Sequence, residues 1–167
     1  MKVSLYSKCI SYDFKKLFES KGYTWFDKGV YNLNIIGVRR ANKNKVTNTY
    51  DDVLVMDYNT DCGHKRNVYN ITTEPGIYYM KNITNDKGCA ILVPGQYKGC
   101  FRIGLHGINI HRSNETWTRN TIDKYSAGCQ VSNNPVEFTA FMRVCEKQKA
   151  RYGNSFTYTL LNEEDLV

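Results

Sequence analysis

The sequence predicts a mainly β, α+β fold: a β-rich sandwich or barrel with a short N-terminal helix and one helix after Cys129. Three observations carry that expectation. Short apolar or alternating runs, each bounded by turn residues, recur from about residue 31 to residue 112. Aromatic residues make up 13% of the chain, with 13 tyrosines, a bias that favours pleated surfaces over helix bundles. Helical spacing of apolar residues is confined to two segments, one near the N-terminus and one after Pro135.

The elements follow in order. Residues 11–21, SYDFKKLFESK, place Phe14, Leu17 and Phe18 on one helical face, with Ser11 as the N-cap and Gly22 as the stop. YNLNIIGVRR reads as a strand through Leu33, Ile35 and Val38, and DDVLVMDYN as a second. NVYNITTEPGIYYMK reads as two strands about a TEPG turn, where Pro75 sets φ and Gly76 tolerates the left-handed corner. CAILVPGQY is expected to be a strand stopped by Pro94-Gly95, and CFRIGLHGINIHR holds one or two more. After Asn134 and Pro135, Phe138, Phe141, Met142 and Cys145 share a helical face that ends at Gly153, and SFTYTLLN supplies a last strand. Cys145 therefore belongs to the core.

At 167 residues, without repeat, linker or low-complexity tract, the chain is expected to be one domain over 1–167, with 1–24 as a helical lead-in, and to be a monomer. Apolar content of 41% against 23% charged residues excludes global disorder. Residues 1–16 lack a continuous apolar stretch and a small-residue cleavage site, so no signal peptide is expected; no run reaches the length of a membrane span. The expected place of synthesis is a reducing cytoplasm. The six irregularly spaced cysteines then read as free thiols rather than as a disulfide framework.

Lys and Arg exceed Asp and Glu by 23 to 16, a net charge of +7 that attracts a polyanion such as nucleic acid, an anionic membrane or an acidic wall polymer. No basic run exceeds two residues and no nucleic-acid module is recognisable, so neither a nucleic-acid nor a membrane partner is expected. The grouping of Cys62 and His64 with Cys89, Cys100 and His106 lacks the paired C-x₂₋₄-C units of structural zinc sites, so no metal and no cofactor is expected.

Among the six thiols Cys129 has a distinct setting, KYSAGCQVS. A reactive thiol needs exposure and an environment that favours thiolate, and a Gly-containing turn can aim backbone N–H groups at the sulfur. The same N–H groups can hold an oxyanion. Cys89 and Cys100 also follow glycine but lead into apolar runs, where a small buried residue is the commoner use. The candidate base is His111 in INIHRSN: with Ile108 and Ile110 facing the core, Asn109 and His111 share the opposite face. His106 falls on the other parity unless Gly107 breaks the strand.

The run His111, fourteen residues, then Ser126-Ala127-Gly128-Cys129 resembles the signature of the L,D-transpeptidase (YkuD-like) family, small phage-encoded members included. NITTEPGIYYMKN is similar to the family's threonine-proline-glycine turn and NIHRSN to its histidine strand, so the resemblance covers most of residues 66–134. It implies a YkuD-like β-rich fold and cysteine acyl transfer on peptidoglycan stem peptides. Cys129 would be the nucleophile and His111 the base, with Ser126 and Gly128 in the oxyanion loop. Ala127 stands where the family often carries His, and Val131 where it often carries Arg or Asn, with Gln130 as the nearest substitute. Substrate contacts are accordingly expected from His106, Asn109, Arg112 and Gln130, and Trp117 in RSNETWTRN is a candidate substrate lid. Small phage-type proteins imply wall cleavage after release from the infected cell or virion, as an L,D-carboxypeptidase or endopeptidase. Crosslink synthesis, or a non-catalytic wall-binding or virion role on the same fold, is the alternative.

Overall fold

The computed structural model describes residues 3–41, 47–74, 92–99, 110–114, 116–123 and 129–167. Over these residues the chain is a mixed α+β protein: one curled seven-stranded sheet and three α-helices.

The lead-in is two helices rather than the single one expected over 11–21. Helix α1 spans Leu5–Ser11 and α2 spans Phe14–Lys21. Ser4 caps α1 by accepting the Ser7 N–H at 3.1 Å, so Ser11 closes a helix instead of opening one. Extended Tyr12 breaks the path, and the Asp13 carboxylate then takes the Lys16 N–H at 3.1 Å. Gly22, at φ 72°, ends α2 as expected, a left-handed cap that costs glycine no side-chain clash.

Strands β1 (Asn34–Arg39), β2 (Asp52–Thr60) and β3 (Gly63–Thr72) form an antiparallel meander. The β2–β3 turn is the two-residue loop Asp61-Cys62, closed by Thr60 opposite Gly63, whose φ of 115° suits glycine. β3 thus begins four residues before the expected Asn67: its first residues, Gly63, His64 and Lys65, are exposed and carry no apolar signal. Strand β4 (Gly95–Gly99) adds to the expectation, because Pro94-Gly95 opens a strand; residues 89–91 of the strand expected ahead of it lie outside the described residues. Proline, which has no N–H to give a ladder, is tolerated just ahead of a strand, and Gly95–Gly99 pairs antiparallel with β7.

Two short strands, β5 (Ile110–Arg112) and β6 (Gln130–Ser132), run parallel to each other. Helix α3 (Pro135–Tyr152) follows, with Asn134 accepting the Val136 and Glu137 N–H groups and Gly153 as the cap, and β7 (Phe156–Asn162) comes next, running into a 3₁₀ turn at Glu163–Asp165. The sheet order is β4-β7-β1-β2-β3-β6-β5, with β7 parallel to β1. The expected strands over residues 77–81 and 100–109 lie outside the described residues.

Helices cover both faces of the sheet. Phe141 and Cys145 of α3 pack on Ile35, Met56 and Leu160, whereas Cys9, Phe14 and Phe18 pack on Ile36, Val55 and Leu161. β2 is consequently buried from Asp52 to Tyr58 on both of its faces, which is why its sequence is a run and not an alternation. No described helix is long and apolar enough to cross a membrane.

Candidate active site

β5 and β6 bring His111 and Cys129 together. Parallel neighbours require a crossover of a dozen residues or more, and residues 113–129 supply it. In that register His111 lies opposite Val131. Side chains alternate between faces, so Cys129, two positions before Val131, falls on the same face as His111. The two side chains are hydrogen-bonded.

The imidazole is held from its other side. His111 Nδ1 lies 2.9 Å from the carbonyl oxygen of Arg112. A carbonyl only accepts, so Nδ1 carries the hydrogen and, in the neutral ring, Nε2 keeps the lone pair. The bond to Cys129 is the main reason that the His111 pKa lies above its ordinary value; partial burial acts in the opposite direction, and the Arg112 carbonyl adds to the rise. His111 therefore holds a proton more tightly than a free imidazole does. Cys129 is half-buried and packs beside Tyr50, Ile122 and Val131, so the sulfur is neither sealed in nor fully in solvent.

Two sets of bonds fix this corner. The crossover is strapped to the body through Asn48: its side chain donates to Asp123 Oδ1 at 2.8 Å and accepts the Asp123 N–H at 2.8 Å. Asn133 and Arg119 exchange a further pair of bonds, at 3.0 and 3.1 Å. On the other side β3 reaches β6 through Ile71 opposite Ser132 and Thr72 opposite Val131. Just beyond that contact the Thr73 N–H and hydroxyl both donate to Asp52 Oδ2 at 2.7 Å, and the Arg40 N–H donates to Asp52 Oδ1 at 2.8 Å. Burial pushes the Asp52 carboxyl up to about 6 even against those three bonds. Arg39 closes the network by donating to the Thr73 hydroxyl at 2.9 Å.

The remaining candidates divide. Ser126, Gly128, His106 and Asn109 lie outside the described residues. Arg112 contributes its main-chain carbonyl; its side chain, by strand alternation, belongs to the face of Ile110, opposite His111. Gln130 is corrected from substrate contact to core: it is 1% exposed and its Oε1 accepts the Tyr158 hydroxyl at 2.6 Å. Trp117 is exposed in the crossover, anchored by its N–H to Asn114 Oδ1 at 3.1 Å. Cys62 is exposed, and His64 Nε2 lies 2.8 Å from Asp57 Oδ1; among the described residues no group of three His, Cys, Asp or Glu side chains could hold a metal ion. The sequence reading missed the Arg112 carbonyl and the Asn48 strap. The first has no signature because every residue carries a carbonyl, and the second joins segments 75 residues apart.

Comparison with family models, with curated proteins and with solved structures gave no match to this chain.

Proposed function

We propose that this chain is a cysteine acyl-transfer enzyme of YkuD-like fold that opens the L,D bond of peptidoglycan stem peptides, chiefly by hydrolysis. The observation that carries the reading is the Cys129–His111 hydrogen bond, with His111 aligned by the Arg112 carbonyl. A thiol bonded to an oriented imidazole is the arrangement that nucleophilic acyl transfer needs. The substrate class rests on the resemblance of His111 through Cys129 to the L,D-transpeptidase signature.

In the first half-reaction Nε2 takes the Sγ proton and the sulfur attacks the carbonyl carbon of the L-configured centre of the third stem residue. By the resemblance, holding the tetrahedral oxyanion falls to the N–H groups of Gly128 and Cys129 and to Ser126. Collapse forms the thioester and breaks the C–N bond, and the imidazolium returns its proton to the leaving amine of D-alanine or of a crosslink. Water, deprotonated by His111, then attacks the thioester and regenerates the thiol; an amine acceptor at that step gives a crosslink instead. The net charge of +7 favours approach to an anionic wall, where the protein acts after release.

The test is mass spectrometry of defined muropeptides incubated with the protein. Loss of the terminal D-residue or scission of an L,D crosslink is expected, with turnover abolished in Cys129→Ala and His111→Ala far more damaging than His106→Ala. Full turnover in Cys129→Ala removes the mechanism. A crosslinked product moves the reading to transpeptidation, and an inert wild-type protein leaves a wall-binding role on this fold.

A further inference from the structure

At the opposite end of β3 from Cys129 lies a cleft of about 250 Å³. His64 and Thr72 are eight residues apart, so about 26 Å of strand separates this cleft from the β3–β6 contact. Its floor is an ion pair buried in the body. Asp57, its side chain 3% exposed, is held by Arg66 Nε at 2.8 Å and Nη2 at 2.7 Å, and by His64 Nε2 at 2.8 Å. Arg66 is itself fixed, since it donates to the Tyr12 carbonyl at 2.8 Å and its guanidinium lies over the Phe14 ring at 5.3 Å. The rim carries a second pair, Lys15 and Asp27 at 3.0 Å, both about half exposed. Trp25, Phe26 and Tyr58 line the space between them.

We propose that this cleft is a binding site for one neutral sugar ring. Charges of both signs line it: an anion would meet Asp13, Asp27 and Asp57, and a cation would meet Lys15 and Arg66, while Asp27 and Asp57 are already engaged by Lys15 and Arg66 and Asp13 by the Lys16 N–H. A ring bearing several hydroxyls meets no such opposition: hydroxyls both donate and accept, and the two ion pairs offer carboxylate oxygens beside ammonium and imidazole groups. The half-buried Trp25, held perpendicular to Phe18 at 5.2 Å between ring centres, supplies an aromatic wall for the apolar side of such a ring. The volume lies just below the range of about 300–1,000 Å³ usual for larger ligands, so it suits a single ring rather than a length of polymer. A site fixed by Asp57, Arg66 and the Tyr12 carbonyl is formed before the ligand arrives, which lowers the cost of binding. The site does not depend on the chemistry assigned to Cys129.

The chain has two tryptophans, so Trp117→Phe leaves Trp25 as the sole indole reporter. Titration of that protein with glucose and with N-acetylglucosamine is expected to give a saturable change in emission at millimolar sugar for at least one of them. Removing the rim pair as a unit, Lys15→Ala with Asp27→Ala, is expected to weaken the response by about tenfold with the far-UV spectrum retained. The same titration with Cys129→Ala added is expected to be unchanged, so sugar binding and muropeptide turnover fail or succeed separately. The proposal is overturned by no saturable response up to about 100 mM of either sugar. It is equally overturned by saturation with inorganic phosphate or adenosine monophosphate in place of sugar, or by a sugar response that the rim variant leaves intact.

Discussion

Gly37 is where the sheet makes room for the residue that steadies the Cys129 strand. It sits in the middle of β1, opposite Leu54 on one side and Leu160 on the other. A Cβ built there would overlap the Tyr158 hydroxyl and stand 2.7 Å from its ring carbon Cζ and 3.2 Å from Leu160 Cδ1. Tyr158 cannot swing into solvent, being 4% exposed, and its hydroxyl donates to Gln130, the neighbour of Cys129. In Gly37→Ala the ring must shift within a packed core, at a cost of about 1–3 kcal/mol. Depriving buried Gln130 of this donor costs about another 1–3 kcal/mol, for a combined loss near 4 kcal/mol. Tyr158→Phe alone suffers only the second loss. In the double variant the offending oxygen is gone, so the two losses overlap and the total falls short of their sum by about 1–2 kcal/mol. Urea unfolding followed by far-UV circular dichroism on the four proteins closes the cycle. A Gly37→Ala protein within about 0.5 kcal/mol of wild type, or strict additivity, refutes this account of the packing.

Further outcomes follow from the same structure. The Asp52 carboxyl, ordinarily near 3.8 and raised to about 6 by burial, binds its proton more tightly in the folded state. Its contribution is fully present below 3.8 and is lost as pH rises through 6, about 3 kcal/mol in all; unfolding free energies from pH 3 to 8 for wild type and Asp52→Asn should differ with that slope. His111 should titrate above 6.5 by NMR and move down in Cys129→Ala, since the bond to Cys129 is the first cause of its rise. The stabilisation from that bond is present below 6.5 and fades as pH rises through the folded-state value. Iodoacetamide at neutral pH should label Cys62 and Cys129 within the folded protein. Cys9, buried and pushed up to about 12, and Cys145, buried and raised further, should label only after unfolding.

Local chemistry made much of the fold legible. Helix α3 could be read almost to the residue, because Asn134, Pro135 and Gly153 are strong end signals around a four-residue apolar face. β1, β2 and β7 were equally plain as dense apolar runs. The lead-in was misread because two cap residues, Ser11 and Asp13, compete within three positions, and which of them wins depends on the body against which α1 packs. Gln130 was misread for a related reason. An amide after a cysteine looks like a surface group, and only the β7 neighbour Tyr158, 28 residues on, makes it a buried one. For the site, parity within INIHR anticipated that His111 turns away from the core side taken by Ile110. The parallel register that sets it beside Cys129 is a property of strand order, which no local pattern encodes.

The position of β7 bears on how the chain reaches this form. It follows the other six strands in the sequence yet sits second in the sheet, between β4 and β1. During synthesis from the N-terminus, the open edge of β1 and the whole of β4 stay without this partner until residues 156–162 have been made. Such an interval leaves adhesive backbone on show in a crowded cell, and late, long-range pairing of this kind slows folding. A nascent chain arrested ahead of Phe156 is therefore expected to be the species that chaperones hold and that aggregates.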